Sequence, residues 1–176
     1  MSYNTITIEQ LRGTETMGVH KWAYTPDGNL ISYEASQMTS VDRGTKIESV
    51  VHKIIQEMGY NATQTVHTHD WDITVDLPHK PVRIEVKSAM LTTNKNTQKG
   101  QFHFQNIDTD SFDYIIFAFV HPHEGIVLKW QTLKGFQEWG WDKSRDNNNK
   151  MTFTGRENMT HRKVELFDMD DFPGNL

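Results

Sequence analysis

Asp72, Glu85 and Lys87 are the residues of this chain whose types and spacing bear most directly on chemistry. They fall in two short alternating segments, Asp72-Ile-Thr-Val and Ile84-Glu-Val-Lys87. Two carboxylates suit a hard divalent cation, and an ammonium two residues beyond the second suits a phosphate under attack. Mg²⁺ takes oxygen ligands in an octahedron and keeps several waters. Asp72 and Glu85 would supply two of those oxygens and the backbone carbonyl of Val86 a third, with water and a phosphate oxygen completing the shell. A water acidified by the ion attacks phosphorus in line. Lys87, on the same side of the strand as Glu85 and about 7 Å along it, can orient or deprotonate that water and offset charge on the phosphorane. The chemistry that this pattern suits is metal-dependent phosphodiester hydrolysis.

The elements around the trio are set by periodicity. Trp71, Ile73, Val75 and Leu77 alternate with Asp70, Asp72, Thr74 and Asp76, and Val82, Ile84 and Val86 alternate with Arg83, Glu85 and Lys87. A period of two describes strands with the apolar set inward and the charged set on the other face. The connection Leu77-Pro-His-Lys-Pro81 is short, which predicts antiparallel pairing with Asp72 opposite residue 85 or 86. Asp70 and Asp76 share the side of Asp72 and stand as rival ligands. Upstream, Ile47, Val50, Val51, Ile54, Ile55 and Met58 mark one face of a helix over 44–59, with Ser40 or Asp42 to cap its start and Gly59 to close its end. Glu48 falls at the edge of that stripe, beside Val51 and Ile55, where it can look into a site at the rim of the core and bind a second metal or hold a metal-bound water. Downstream, 101–107 alternates again, Phe112 to Val120 reads as a central strand, and Ile126 to Trp130 returns after a turn. Residues 131–139 suit a short helix, Met151-Thr-Phe-Thr a late strand, and the C-terminus an irregular segment. Ahead of the helix, 21–36 suggests a hairpin turning at Pro26-Asp27-Gly28-Asn29, suited to recognition or dimer contacts. The sum is a mixed α/β domain with three to five strands.

Bulk properties narrow the class. The 176 residues, with 23% charged and 11% aromatic, fit one globular domain spanning 1–176. No apolar run approaches 18 residues, so no membrane span is expected, and Met1-Ser-Tyr-Asn-Thr5 does not open a secretory signal. Cysteine is absent, which excludes thiolate metal sites and suits a reducing cytoplasm. The net charge of −5 speaks against a protein that coats nucleic acid, but the charge is unevenly spread. Residues 77–107 carry Lys80, Arg83, Lys87, Lys95 and Lys99 against Glu85 alone, and 143–163 carry Lys143, Arg145, Lys150, Arg156, Arg162 and Lys163 against Asp146 and Glu157. Lys95, Lys99, Arg145, Lys150 and Arg156 are the candidates for phosphate contact. Base recognition would fall to the aromatic segment Trp22 to Tyr33 and the Arg- and Asn-bearing segment Lys143 to Lys163. His67-Thr-His69 has the look of a zinc-hydrolase motif, but no further histidine spacing completes such a site.

The order of these parts resembles the PD-(D/E)xK nuclease superfamily. The matching residues are Glu48 in Gly44-Thr-Lys-Ile-Glu-Ser-Val-Val, Asp72 in Trp-Asp-Ile-Thr-Val, Glu85 and Lys87 in Ile-Glu-Val-Lys-Ser, and Gln105 in Phe-His-Phe-Gln-Asn-Ile, with Phe112 to Val120 as the core strand that follows. The resemblance covers about residues 44–130, and Trp71 stands where the motif has its proline. It implies a restriction-endonuclease-like core, a mixed β-sheet flanked by helices. It also implies Mg²⁺ as cofactor with Mn²⁺ substituting, and DNA as substrate rather than RNA. Gln105 would touch the metal-bound water or the substrate backbone. Restriction, repair and phage DNA-processing roles all fit. Cutting both strands with one site per 20.5 kDa subunit favours a homodimer. The rival expectation is a non-catalytic nucleic-acid-binding module of the same fold.

Overall fold

A strand that is apolar almost without a break must be covered on both faces, and residues 114–121 are such a strand. The computed structural model describes residues 2–6, 10, 39–65, 71–121, 124–139 and 150–173. The expected hairpin over 21–36, His67, His69, Asp70 and Arg145 lie outside them. In chain order the elements are β1 (Thr5–Ile6), α1 (Ser40–Glu57), β2 (Ala62–Gln64), β3 (Ile73–Asp76), β4 (Pro81–Thr93), β5 (Gly100–Ile107), β6 (Tyr114–His121), β7 (Gly125–Thr132), α2 (Leu133–Trp139), β8 (Met151–Arg156) and β9 (Phe167–Asp168), then a 3₁₀ turn at Met169–Asp171.

The strands run in the order β1-β7-β6-β4-β3-β2, with β9 on β7. β4 pairs with β6 in parallel and with β3 antiparallel. On one face of β6, Ile116, Ala118 and Val120 share a core with Ile47, Val50, Val51, Ile54 and Ile55 of α1. On the other, Ile115, Phe117 and Phe119 share a core with Phe102, Phe104, Phe136 and Phe153. This second core exists because β4 changes partners. It runs beside β6 up to Met90 and then pairs with β5 from Leu91 to Thr93, while β5 pairs onward with β8. The sheet therefore curls over its own face, bringing Phe104 to 4.7 Å from Phe117 and Phe117 to 4.8 Å from Phe153, ring centre to ring centre.

Several expectations need correction. Nine strands lie among the described residues where three to five were expected, and the flanking helices reduce there to α1 and the short α2. β1, β2 and β9 have two or three residues each, too few to show a period. The charged face of β4 is not left to solvent: Glu85 is 7% exposed, because that face looks toward the second core. The helix starts at Ser40 rather than 44, and its cap is Thr39, not Ser40 or Asp42. The Thr39 hydroxyl accepts the Asp42 N–H at 3.2 Å from extended backbone. Gly59 closes the helix at φ 100°. Thr39→Ala should cost about 1 kcal/mol and lower the thermal midpoint by about 2–4 °C, a change that calorimetry resolves. An unchanged midpoint would mean the cap contributes nothing. No helix among the described residues is long and apolar enough to cross a membrane.

Candidate active site

The register of the β3–β4 hairpin fixes the first two carboxylates. Ile73 lies opposite Ile84, so Asp72 falls opposite Glu85, one residue beyond the end of β3. Asp72 is held by its own backbone: its N–H donates to Ile84 O at 3.0 Å, and its carbonyl accepts from Thr65 N–H at 2.9 Å. The Thr65 hydroxyl also donates to the Trp71 carbonyl. The Asp72 side chain takes over the pairing where β3 stops, its Oδ2 accepting the Val86 N–H at 2.8 Å. In an antiparallel pair the N–H and C=O of one residue face the same neighbour. The Val86 carbonyl thus faces the Asp72 side as well.

Lys87 reaches back along β4 to Glu85, Nζ to Oε1 at 3.1 Å. The other oxygen, Glu85 Oε2, is buried and has no hydrogen-bond partner among the described residues. Glu48 comes down from α1 to stand beside Asp72, close enough for the two carboxyls to act on each other. Burial, with Asp72 and Glu85 beside it, pushes Glu48 up to about 8 against the pull of Lys87. Burial and Asp72 push Glu85 to about 7, with Asp108 adding to the rise and Lys87 opposing it. Asp72 is raised by burial, though the Val86 N–H and Lys87 pull it back. Three carboxyl groups and one ammonium thus meet in a space short of both water and positive charge.

The fold brings Glu48, Asp72, Glu85 and Lys87 together from α1, the β3 lead-in and β4. It leaves Gln105 apart: that side chain is exposed on β5, and no hydrogen bond among the described residues ties it to the four. Asp76 pairs with Pro81 at the far end of β3, away from Glu85. Lys95 and Lys99 are exposed in the β4–β5 connection, Arg156 is exposed at the end of β8, and Lys150 is half-buried just before it. Lys99 and Arg156 share an open cleft of about 1030 Å³ with Gln101, His121, Thr154 and Glu157. One residue on the charged face of β4 lies outside the expected set. Arg83, one pleat before Glu85, is gripped by Asp113 through its backbone N–H at 2.8 Å and its guanidinium at 3.3 Å, and lies 5.7 Å from the Trp71 ring centre. Its alternation with Glu85 and Lys87 was the available signal.

A divalent cation would suit these groups. An orphaned buried carboxylate oxygen, a second carboxylate opposite it and a carbonyl facing the same side form an all-oxygen donor set. Among the described residues no three His, Asp or Glu side chains form a ready-made cage for an ion, and a Mg²⁺ site with several waters does not require one.

No family model and no curated protein matches this chain. Among solved structures it is similar to the bacterial homing endonuclease I-Ssp6803I, with a TM-score of 0.41 and 14% identity over 54% of this chain and 70% of that one. A likeness this slight decides neither fold nor chemistry.

Proposed function

We propose that the protein is a divalent-metal-dependent endonuclease that hydrolyses DNA phosphodiester bonds, of restriction-endonuclease-like type. The observation that carries this reading is the Glu85 carboxylate. One of its oxygens is held by Lys87 and the other is buried without a partner among the described residues, directly across from Asp72. Leaving a buried carboxylate oxygen unsatisfied costs on the order of 1–3 kcal/mol or more, which a cation at this point would offset.

Asp72 and Glu85 would hold Mg²⁺ or Mn²⁺ with the Val86 carbonyl. Such an ion, when bound, acidifies a coordinated water and withdraws charge from the phosphoryl oxygens. Lys87 keeps its ammonium beside Glu85 Oε1, where it can donate to a phosphate oxygen or to the attacking water. Glu48 carries a proton near neutral pH and can give it up once positive charge arrives beside it. Hydrolysis of both strands would use two such sites, which favours a homodimer.

The test is a cleavage assay on supercoiled plasmid with Mg²⁺, with Mn²⁺ and with EDTA. Nicked or linear product with either metal and none with EDTA is the expected result. No product under any metal condition would overturn the nuclease reading.

A further inference from the structure

We propose that the outward face of the β5–β8 ribbon reads base edges in the major groove of duplex DNA. The proposal rests on the nuclease reading above and adds the surface that would choose the site. β5 and β8 pair antiparallel, with Gln101 opposite Arg156 and His103 opposite Thr154. Alternation turns Phe102, Phe104 and Phe153 into the second core and leaves His103, Thr154 and Arg156 exposed, with Gln101 half-exposed. None of these four outward residues is a carboxylate, and three can hydrogen-bond a base edge: glutamine suits adenine, arginine suits guanine, and threonine accepts either, while His103, both its ring nitrogens taken by Gln101 and Thr154, holds those two in place.

Charge favours the same occupant. In a chain of net charge −5, this pairing sets Lys99, just before β5, in one cleft with Arg156 of β8, beside Glu124 and Glu157. Arg156, Arg162 and Lys163 all act on His161, so positive charge gathers at the β8 side of the ribbon, which suits a polyanion. The face is also held in shape. The Gln101 amide donates to His103 Nε2 at 2.6 Å, so His103 Nδ1 carries the proton and donates to Thr154 Oγ1 at 3.1 Å. Asn94 supports Gln101 Oε1 at 3.4 Å. Behind them, phenylalanine rings packed mostly edge to face fix the strands, so little order remains to be acquired on binding.

Size and position fit as well. Two strands about 5 Å apart enter a groove about 12 Å wide. β5 runs directly into Asp108, whose charge acts on Glu85. Thr154, opposite His103, and Gln101 stand about 17 and 23 Å from that point along the ribbon, or about five to seven base pairs. The bases they contact should lie that far from the cut.

The experiment selects duplexes from a randomised DNA library with the full chain in EDTA, using wild type, His103→Ala and Thr154→Ala, and runs plasmid cleavage with Mg²⁺ in parallel. Wild type should recover a preferred motif. Each variant should lose discrimination by about 5- to 100-fold at one or two adjacent positions, while its affinity for random duplex stays within about twofold and plasmid nicking persists. A wild-type protein that binds and cuts without preference, or a motif untouched in both variants, would overturn the ribbon assignment and spare the nuclease. A motif lost in the variants without any metal-dependent cutting would support the ribbon and overturn the nuclease. Failure to retain any duplex, with no cutting, would overturn both.

Discussion

Lys87→Ala should lower single-turnover cleavage by about 100- to 1000-fold, the loss that follows removal of one preorganised donor from a site where charge develops. The geometry makes the effect specific. Among the described residues, Lys87 is the cation whose charge opposes the rise of Glu48, Asp72 and Glu85 together, and its Nζ contacts Glu85 Oε1 at 3.1 Å. Its removal therefore does two things: it deletes the ammonium that would meet the phosphate, and it leaves Glu85 more costly to ionise. The second effect has its own readout. Glu85 stands near 7 with Lys87 present and should move higher without it, so the residual activity of the variant should need a more alkaline pH than wild type. Lys87→Arg restores the charge but not its compact shape, and should recover the pH profile better than the rate. Circular dichroism should stay close to wild type, while the thermal midpoint at pH 8 in EDTA should fall, because the variant leaves the buried Glu85 without its ion-pair partner. A Lys87→Ala protein that cuts at the wild-type rate would remove this cluster from consideration as the active site.

Much of this arrangement can be traced to the sequence, and the parts that cannot have physical reasons. The alternation around Asp72 and Glu85 and the short proline-bounded connection suffice for the pairing, because register in a hairpin follows from turn length. The unbroken apolar run of β6 already implies a strand covered on both sides. What alternation does not reveal is the second half of β4. After Met90 the strand leaves β6 and pairs with β5 from Leu91 to Thr93, so its burial follows changing neighbours rather than one face. That exchange lets the sheet curl and puts Glu85 under cover instead of in water. Short strands such as β2 take their conformation from their partners, not from their own residues. Gln105 shows what order along the chain leaves open. A matching residue in the right order along the chain was exposed on β5, just before Asn106 at φ 58° and the register shift between Phe104 and Ile107; order along a strand does not determine where a bulge aims a side chain. Arg83 is legible in the alternation with Glu85 and Lys87, but its grip on Asp113 is not, because the two lie 30 residues apart in sequence.

Stability without metal should fall as pH rises from about 5 to 8, and Glu48→Gln should reverse the loss. Burial and the neighbouring carboxylates raise Glu48 from 4.5 to about 8 and Glu85 from 4.5 to about 7. The folded protein thus holds protons that the unfolded chain has released, and the slope of stability with pH is negative across that interval. The contribution is fully present below about 4.5 and is lost as pH climbs through 7 and 8. For a buried, interacting pair its size is on the order of 2–3 kcal/mol, or about 5–10 °C in thermal midpoint for a chain of this length. A glutamine at 48 keeps the shape and can donate to Asp72, but it has no charge to impose at high pH. Glu48→Gln should therefore be the more stable protein at pH 8 in EDTA and no more stable at pH 5. Mg²⁺ should act on the same balance from the other side. A cation bound by Asp72 and Glu85 favours their ionised forms, so it should raise the wild-type midpoint most at pH 8 and leave Glu85→Gln unmoved. A wild-type midpoint that is flat or rising from pH 5 to 8 in EDTA, with Glu48→Gln no more stable than wild type at pH 8, would mean that these carboxyls are not crowded in solution. The fold would then have no unfavourable charge for a metal ion to relieve, and the strongest physical reason to place one beside Glu85 would be gone.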